Sequence, residues 1–170
     1  MEQSSGDGGQ SGIRSELADI AAYWLAIATV FLSNLILWSY SAYYKLVTDD
    51  GQLPSGLVAS FAGTFLDSVP GLNASWVILG VLEAIAFLVF AASVVAGEFL
   101  PNRRKPILLV GLGVSLITFA ALMFGSNMTM DFDTVGQLFG YVAATILMII
   151  LVLLMPPYRA KRWLAAIGKS

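Results

Sequence analysis

Glu83 is the residue on which chemistry could be built. It lies within WVILGVLEAIAFLVFAASVVAG, residues 76–97, a run that carries no other charge. At about 1.5 Å per residue such a run reaches about 33 Å, enough to cross the ~30 Å hydrocarbon layer of a bilayer. Burying an acid there costs on the order of 2.5–3.5 kcal/mol on insertion scales, so its side chain should face protein or a wet cavity, protonated or hydrogen-bonded. With helix midpoints taken near residues 32 and 86, Asn34 and Glu83 fall at similar depth, ~3 Å and ~4.5 Å toward one side. Thr118, Gln137, Tyr141 and the aromatic group from Tyr40 to Tyr44 belong to the same half, while the other half of every helix is nearly pure aliphatic. This pattern predicts a polar cluster that opens toward one face of the membrane, with Glu83 turned into the bundle. The plainer alternative is a helix-packing hydrogen bond worth about 0.6 kcal/mol with no ligand.

Other chemistries are poorly served. The chain has no Cys and no His, which removes the usual axial ligands of haem, the thiolates of iron-sulfur clusters, disulfides and His/Cys zinc sites. There is no nucleophile beside a base and no glycine-rich phosphate loop. Apart from Glu83, every acid sits near or outside the membrane boundaries, and Asp49, Asp50, Asp131 and Asp133 read as solvated residues of the outer turns or as an acidic rim for a cationic partner.

The elements that must hold Glu83 follow from composition. Of 170 residues 58% are hydrophobic and 12% charged, with a mean hydropathy of +0.80. Such a chain is an all-α integral membrane protein. Residues 1–12, MEQSSGDGGQSG, are polar and without an apolar run, and are expected to form a disordered tail. The apolar segment after them is too long for a signal-peptide core and lacks a cleavage site, so it is retained as a helix. Helix one should begin near Ile13 or Ser15 and end near Leu46, crossing the membrane at about residues 20–44. Its end, WSYSAYYKLV, reads as an interfacial aromatic belt of Trp38, Tyr40, Tyr43 and Tyr44 with Lys45 snorkelling.

After the turn TDDGQLPS, Leu57, Val58, Phe61, Phe65 and Leu66 recur at helical spacing. That stretch is too short to span and predicts an amphipathic helix at the interface. Helix two is expected over Ser75–Gly97, helix three over Pro106–Gly125 and helix four over Thr134–Met155, with Pro156 and Pro157 beyond. The membrane domain is thus residues 13–157, a bundle of four crossings. Residues 158–170 alternate basic and apolar groups and should lie on anionic lipid. Gly136, Gly140 and Ala144 on helix four, and Gly111 with Ser115 on helix three, form small-residue faces. Packing within the bundle is their expected use, and a partner subunit the alternative.

If the amino terminus is inside, Arg14, Arg103, Arg104, Lys105, Arg159, Lys161, Arg162 and Lys169 lie inside against Lys45 alone outside. The positive-inside rule then puts both termini in the cytoplasm of a multi-pass cell-membrane protein. The sequons at Asn73 and Asn127 would face outward but hug the membrane, and read as chance.

The order of motifs resembles the DoxX-like family of small four-helix membrane proteins. The pieces are YYKL at Tyr43 to Leu46, SFAGTFLDSVP at Ser60 to Pro70, GVLEAIAF at Gly80 to Phe87 and NRRK at Asn102 to Lys105. The likeness covers about residues 20–155. Two departures fill space: an aromatic residue stands where the family has a glycine before Lys-Leu, and Ala86 and Phe87 stand where glycines would follow the acid. The resemblance implies a role beside quinone-linked oxidoreductases, such as the membrane subunit of thiosulfate:quinone oxidoreductase, or in redox defence. It points to Lys45 and Glu83, with the aromatics beside them, as the site.

The expected function is therefore an accessory or anchoring subunit of a respiratory-type oxidoreductase, with a quinone or lipid pocket drawn from Glu83, Asn34, Tyr40, Tyr44 and Lys45. Its partners would be membrane lipids and other subunits, with no nucleic acid. The alternative is a structural or assembly subunit without a small-molecule site. A proton-carrying transporter fits less well, since the acid stands alone and no inverted repeat is evident.

Overall fold

A computed structural model describes residues 7–68 and 71–155, with side chains from Leu17 onward. The expected basic tail at 158–170 and the first residues of the expected amino-terminal tail lie outside the described residues. The protein is an all-α bundle whose four long helices are each apolar and long enough to cross a membrane: Leu17–Thr48, Leu72–Val95, Pro106–Met128 and Phe132–Leu154.

The first of these belongs to α1, Asp7–Tyr43, which continues into a π-helical turn at Tyr44–Thr48. Helix α1 therefore begins before the expected Ile13 and takes in residues 7–12. Nothing in DGGQSG favours a helix, but added turns need no new nucleus, because each residue joined to an existing helix brings its own hydrogen bond. The expected single amphipathic helix is two short ones, α2 at Ser55–Phe61 and α3 at Phe65–Ser68. Between them Gly63 has φ +76°, a left-handed conformation that glycine adopts without strain and that ends α2 early.

The other crossings are α4 (Leu72–Val95), α5 (Pro106–Met128) and α6 (Phe132–Leu154). Pro106 opens α5, where its missing N–H does no harm. The carboxylate of Asp131 caps α6, accepting hydrogen bonds from Thr134 N at 3.1 Å and Thr134 Oγ1 at 2.6 Å.

Helices α1, α4, α5 and α6 pack in sequence, each against the next. Their common core holds Ile27, Phe31, Ala86, Phe90, Leu112 and Val152. Gly111 is the seam between α4 and α5: a Cβ there would meet the Phe90 ring at 3.1 Å. Its neighbour Ser115 accepts a 2.9 Å hydrogen bond from Trp38 Nε1. Trp38 is accordingly a core residue, 1% exposed, rather than part of an interfacial belt, because its indole N–H finds a partner inside. The small-residue face of α6 differs from expectation in the opposite way. Gly136, Gly140 and Ala144 are exposed, and a Cβ at either glycine would meet nothing within 4 Å.

Candidate functional site: a buried ion pair beside an apolar cavity

The π-helical turn decides where Lys45 points. A π turn accommodates an extra residue, closed here by the bond from Asp49 N to Tyr44 O at 2.9 Å, and it re-aims the side chains around it. Lys45 is turned into the bundle, 7% exposed, and does not snorkel. Its stem passes Gly80, where a Cβ would lie 3.2 Å from Lys45 Cβ and 2.8 Å from Leu46 Cδ2. Only a glycine on α4 lets the π turn come this close.

Below that gap the ammonium reaches Glu83. Lys45 Nζ lies 2.8 Å from Oε1 and 3.0 Å from Oε2, and donates to Ser41 Oγ at 2.9 Å. An ammonium has three donors, and all three are engaged. The Trp76 ring covers the ammonium from α4, its centroid 4.7 Å from Nζ, within range of a cation–π attraction. Glu83 is fully buried. The carboxylate expected to face protein does so, and its partner is a lysine 38 residues away in the chain.

The other residues expected at the site do not join it. Asn34 is buried but donates to Val30 O at 2.8 Å and lies 3.4 Å from Met148 Sδ. Tyr40 and Tyr44 stack on each other with ring centroids 6.4 Å apart, on the outer surface of the bundle, 71% and 41% exposed. Thr118 bonds its own helix at Val114 O, Gln137 is exposed, and Tyr141 stacks on Phe119. The expected single polar cluster is thus dispersed among three walls of the bundle.

Trp76 links the ion pair to a cavity of about 690 Å³ between the strap formed by α2 and α3 and the facing parts of α4 and α5. Its depth is apolar, with Leu79, Leu82 and Leu122. Where α4 begins and α5 passes into α6, its lining carries Ser75, Thr129, Asp131 and Thr134. This size suits a drug-sized ligand, and an apolar slot with a few polar groups at one end is the usual form of such sites. Phe61 on α2 reaches across toward Gly125 on α5, where a Cβ would lie 3.9 Å from Phe61 Cζ. Neither the strap's role as a wall nor Trp76 is evident from the sequence taken residue by residue. One signal is the spacing: Trp76, Gly80 and Glu83 recur at helical spacing on one face of α4, and Ser41 on α1 and Lys45 in the π turn stand four residues apart.

A second buried charged cluster occupies the opposite end. Glu98 accepts from Ser93 Oγ at 2.7 Å, Ile107 N at 3.0 Å and Leu108 N at 2.7 Å, so it caps the amino terminus of α5. Lys105 is fully buried, donates to Leu100 O and Arg103 O, and stands 5.6 Å from the Tyr23 ring. Burial pulls its ammonium below the usual lysine range, and the negative charge of Glu98 opposes that shift. Both residues belong to the turn between α4 and α5, beyond the ends of the crossings.

No family model matches the chain, and no curated protein or solved structure matches it. The DoxX-like resemblance therefore stands on its four short motifs alone.

Proposed function

We propose that the protein is an accessory or anchoring membrane subunit of a quinone-linked oxidoreductase complex, as the DoxX-like resemblance suggests, and that its cavity holds the headgroup of a quinone or related lipid. The observation that carries this reading is the apolar cavity walled by Trp76 and backed by the Lys45–Glu83 pair. The pair is not itself the pocket. It fixes the indole that forms one wall, in a setting where a buried charge pair earns no obvious stability by replacing apolar packing. In this reading the acidic end, with the cavity mouth, faces outward from the cell membrane. Both termini are cytoplasmic, as the lysine and arginine bias argues, and the basic tail rests on anionic lipid.

The test is to purify the full chain in mild detergent, extract its lipid-soluble contents, and titrate it with a short-chain benzoquinone and the matching benzoquinol by calorimetry. Saturable binding of either, lost in Gly125→Phe, which fills the cavity mouth, is the expected result. Absence of bound lipid-soluble ligand together with no saturable binding removes the reading.

A second reading, a structural or assembly subunit, is favoured by one observation: the Gly136, Gly140 and Ala144 face of α6 is exposed, and none of the described residues comes within 4 Å of a Cβ placed at either glycine. It predicts that bulky residues there abolish association with other subunits while Glu83→Gln does not.

A further inference from the structure

We propose that the strap formed by α2 and α3 is a lid: residues 55–68 swing as a unit from a pinned base and let a ligand into and out of the cavity. This rests on the reading of the cavity as a ligand site, although the motion itself is measurable on the empty protein.

The base of the strap is firm. Leu53 donates its N–H to Asn73 Oδ1 at 2.9 Å, and Asn73 Nδ2 donates to Gln52 Oε1. One side chain thus ties the residues just before the strap to the first turn of α4. Gly51 N donates to Lys45 O at 3.0 Å, and a Cβ at Gly51 would lie 2.8 Å from Val77 Cγ2, so the base is pressed against both the π turn and α4.

The span beyond the base is held differently. Among the described residues, every hydrogen bond made by residues 55–68 closes within residues 54–68, the side-chain bonds of Thr64 and Asp67 included. Neither α2 nor α3 has a buried residue. A Cβ at Gly56 or Gly63 would meet nothing within 4 Å. Yet this span supplies Leu57, Phe61 and Leu66 to the cavity lining, across from Leu79 and Leu122. Swinging it outward breaks no hydrogen bond of its own and uncovers little buried surface. Segments of that kind open locally while the rest of a protein stays folded, and lids over binding sites are drawn from them.

The experiment uses the full chain in lipid nanodiscs, where the lack of native cysteine lets an introduced thiol report alone. First, without ligand, Leu122→Cys on the far wall of the cavity is modified by a bulky maleimide. Adding Asn73→Ala, which unpins the base without touching the cavity lining, should raise that rate about tenfold, the weight of roughly one hydrogen bond. Leu112→Cys, at a fully buried core position, should not react faster with Asn73→Ala, which separates lid opening from general loosening. Leu79→Cys takes the place of Leu122→Cys if that variant does not fold. A cavity thiol whose rate Asn73→Ala leaves unmoved, or an equal rise at Leu112→Cys, overturns the lid.

Second, Phe61→Cys/Gly125→Cys is bridged by a bis-thiol spacer about as long as the phenylalanine ring it replaces, and the same variant capped with methyl methanethiosulfonate is the control. A fully substituted short-chain benzoquinone, whose ring has no open position for a thiol, should enter and leave the bridged protein about tenfold more slowly than the control. Equal rates overturn the lid and leave the cavity a ligand site. If the benzoquinone fails to bind the capped control, the thiol rates alone decide the lid. If it fails to bind the unsubstituted protein, the proposed function falls.

Discussion

Two buried carboxylates, Glu83 midway along α4 and Glu98 in the turn that follows it, each have a lysine in their neighbourhood, and they are held in different ways. Glu98 is satisfied by its own neighbourhood: Ser93 on the preceding turn and the first backbone N–H groups of α5. Glu83 is met by a lysine from another helix, reached through a π turn and a glycine gap. The first arrangement closes a helix end that would otherwise leave donors unpaired. The second is not needed for any backbone group. A carboxylate and an ammonium brought together at a distance in sequence, beneath a tryptophan that walls a cavity, are better understood as fixing that wall. Glu98 is therefore read as architecture and Glu83 as part of a site.

The largest effect that could break this contrast is on the ion pair. Removing one partner leaves the other charge buried and uncompensated, which costs about 3–5 kcal/mol. Glu83→Leu and Lys45→Met should each destabilise the protein by about that much in thermal or denaturant unfolding. The double variant Lys45→Met/Glu83→Leu should recover most of the loss, since apolar replacement of a whole buried pair is often neutral. Ligand binding should stay impaired in the double variant, because Trp76 has lost the ammonium beneath it. A double variant that binds ligand normally would reduce the pair to a packing device and put it in the same class as Glu98.

Glu98 gives the next effect. Glu98→Ala removes acceptors from Ser93, Ile107 N and Leu108 N, and should cost about 2–3 kcal/mol as lost charge-assisted bonds and a lost cap. It should leave binding in the distant cavity unchanged. The same cluster carries a pH signature. Burial lowers the Lys105 pKa, so between that lowered value and the ordinary lysine value the unfolded chain binds more protons than the folded one. Stability should therefore rise as pH climbs through that alkaline window. The slope should flatten in Lys105→Met, as unfolding curves across a pH series would record.

How much of this was legible in the sequence differs between the two ends. The four crossings follow from length and hydropathy, and the depth of Glu83 follows from the helical rise, because both are one-dimensional properties. The partnership of Lys45 with Glu83 came only through the motif resemblance. Spacing alone read Lys45 as a snorkelling interfacial residue, since aromatic neighbours and a terminal position are what such a lysine has. What turns it inward is the π turn, a local extra residue with no compositional mark. Tyr40 and Tyr44 are neighbours of Lys45 in sequence, yet they occupy the exposed face turned away from the ion pair. Nothing in the sequence marks Glu98 as a cap, because the residues after it, PNRRK, read as a basic turn. The cavity is formed by a strap whose break at Gly63 depends on a backbone conformation that the sequence permits but does not require.

The smallest effects concern the glycines, and they separate close contact from open surface. Gly80→Ala puts a Cβ 2.8 Å from Leu46 Cδ2 and 2.9 Å from Leu46 Cγ. Leu46 can shift its tip but not its stem, and the π turn that carries Lys45 must move with it. A loss of about 1–2 kcal/mol is expected, in the range of mild overpacking, with weaker ligand binding as the ion pair is pushed off Trp76. Gly140→Ala meets nothing and removes a helix-interior glycine, so on propensity alone it should be neutral or stabilising by up to about 1 kcal/mol. Unfolding of the isolated protein measures both. If Gly140→Ala proves as harmful as Gly80→Ala in the isolated chain, the α6 face is packed within the protein after all, and the case for a partner subunit there fails. If it is harmless alone but loosens the native assembly in detergent, the open face is where that assembly closes.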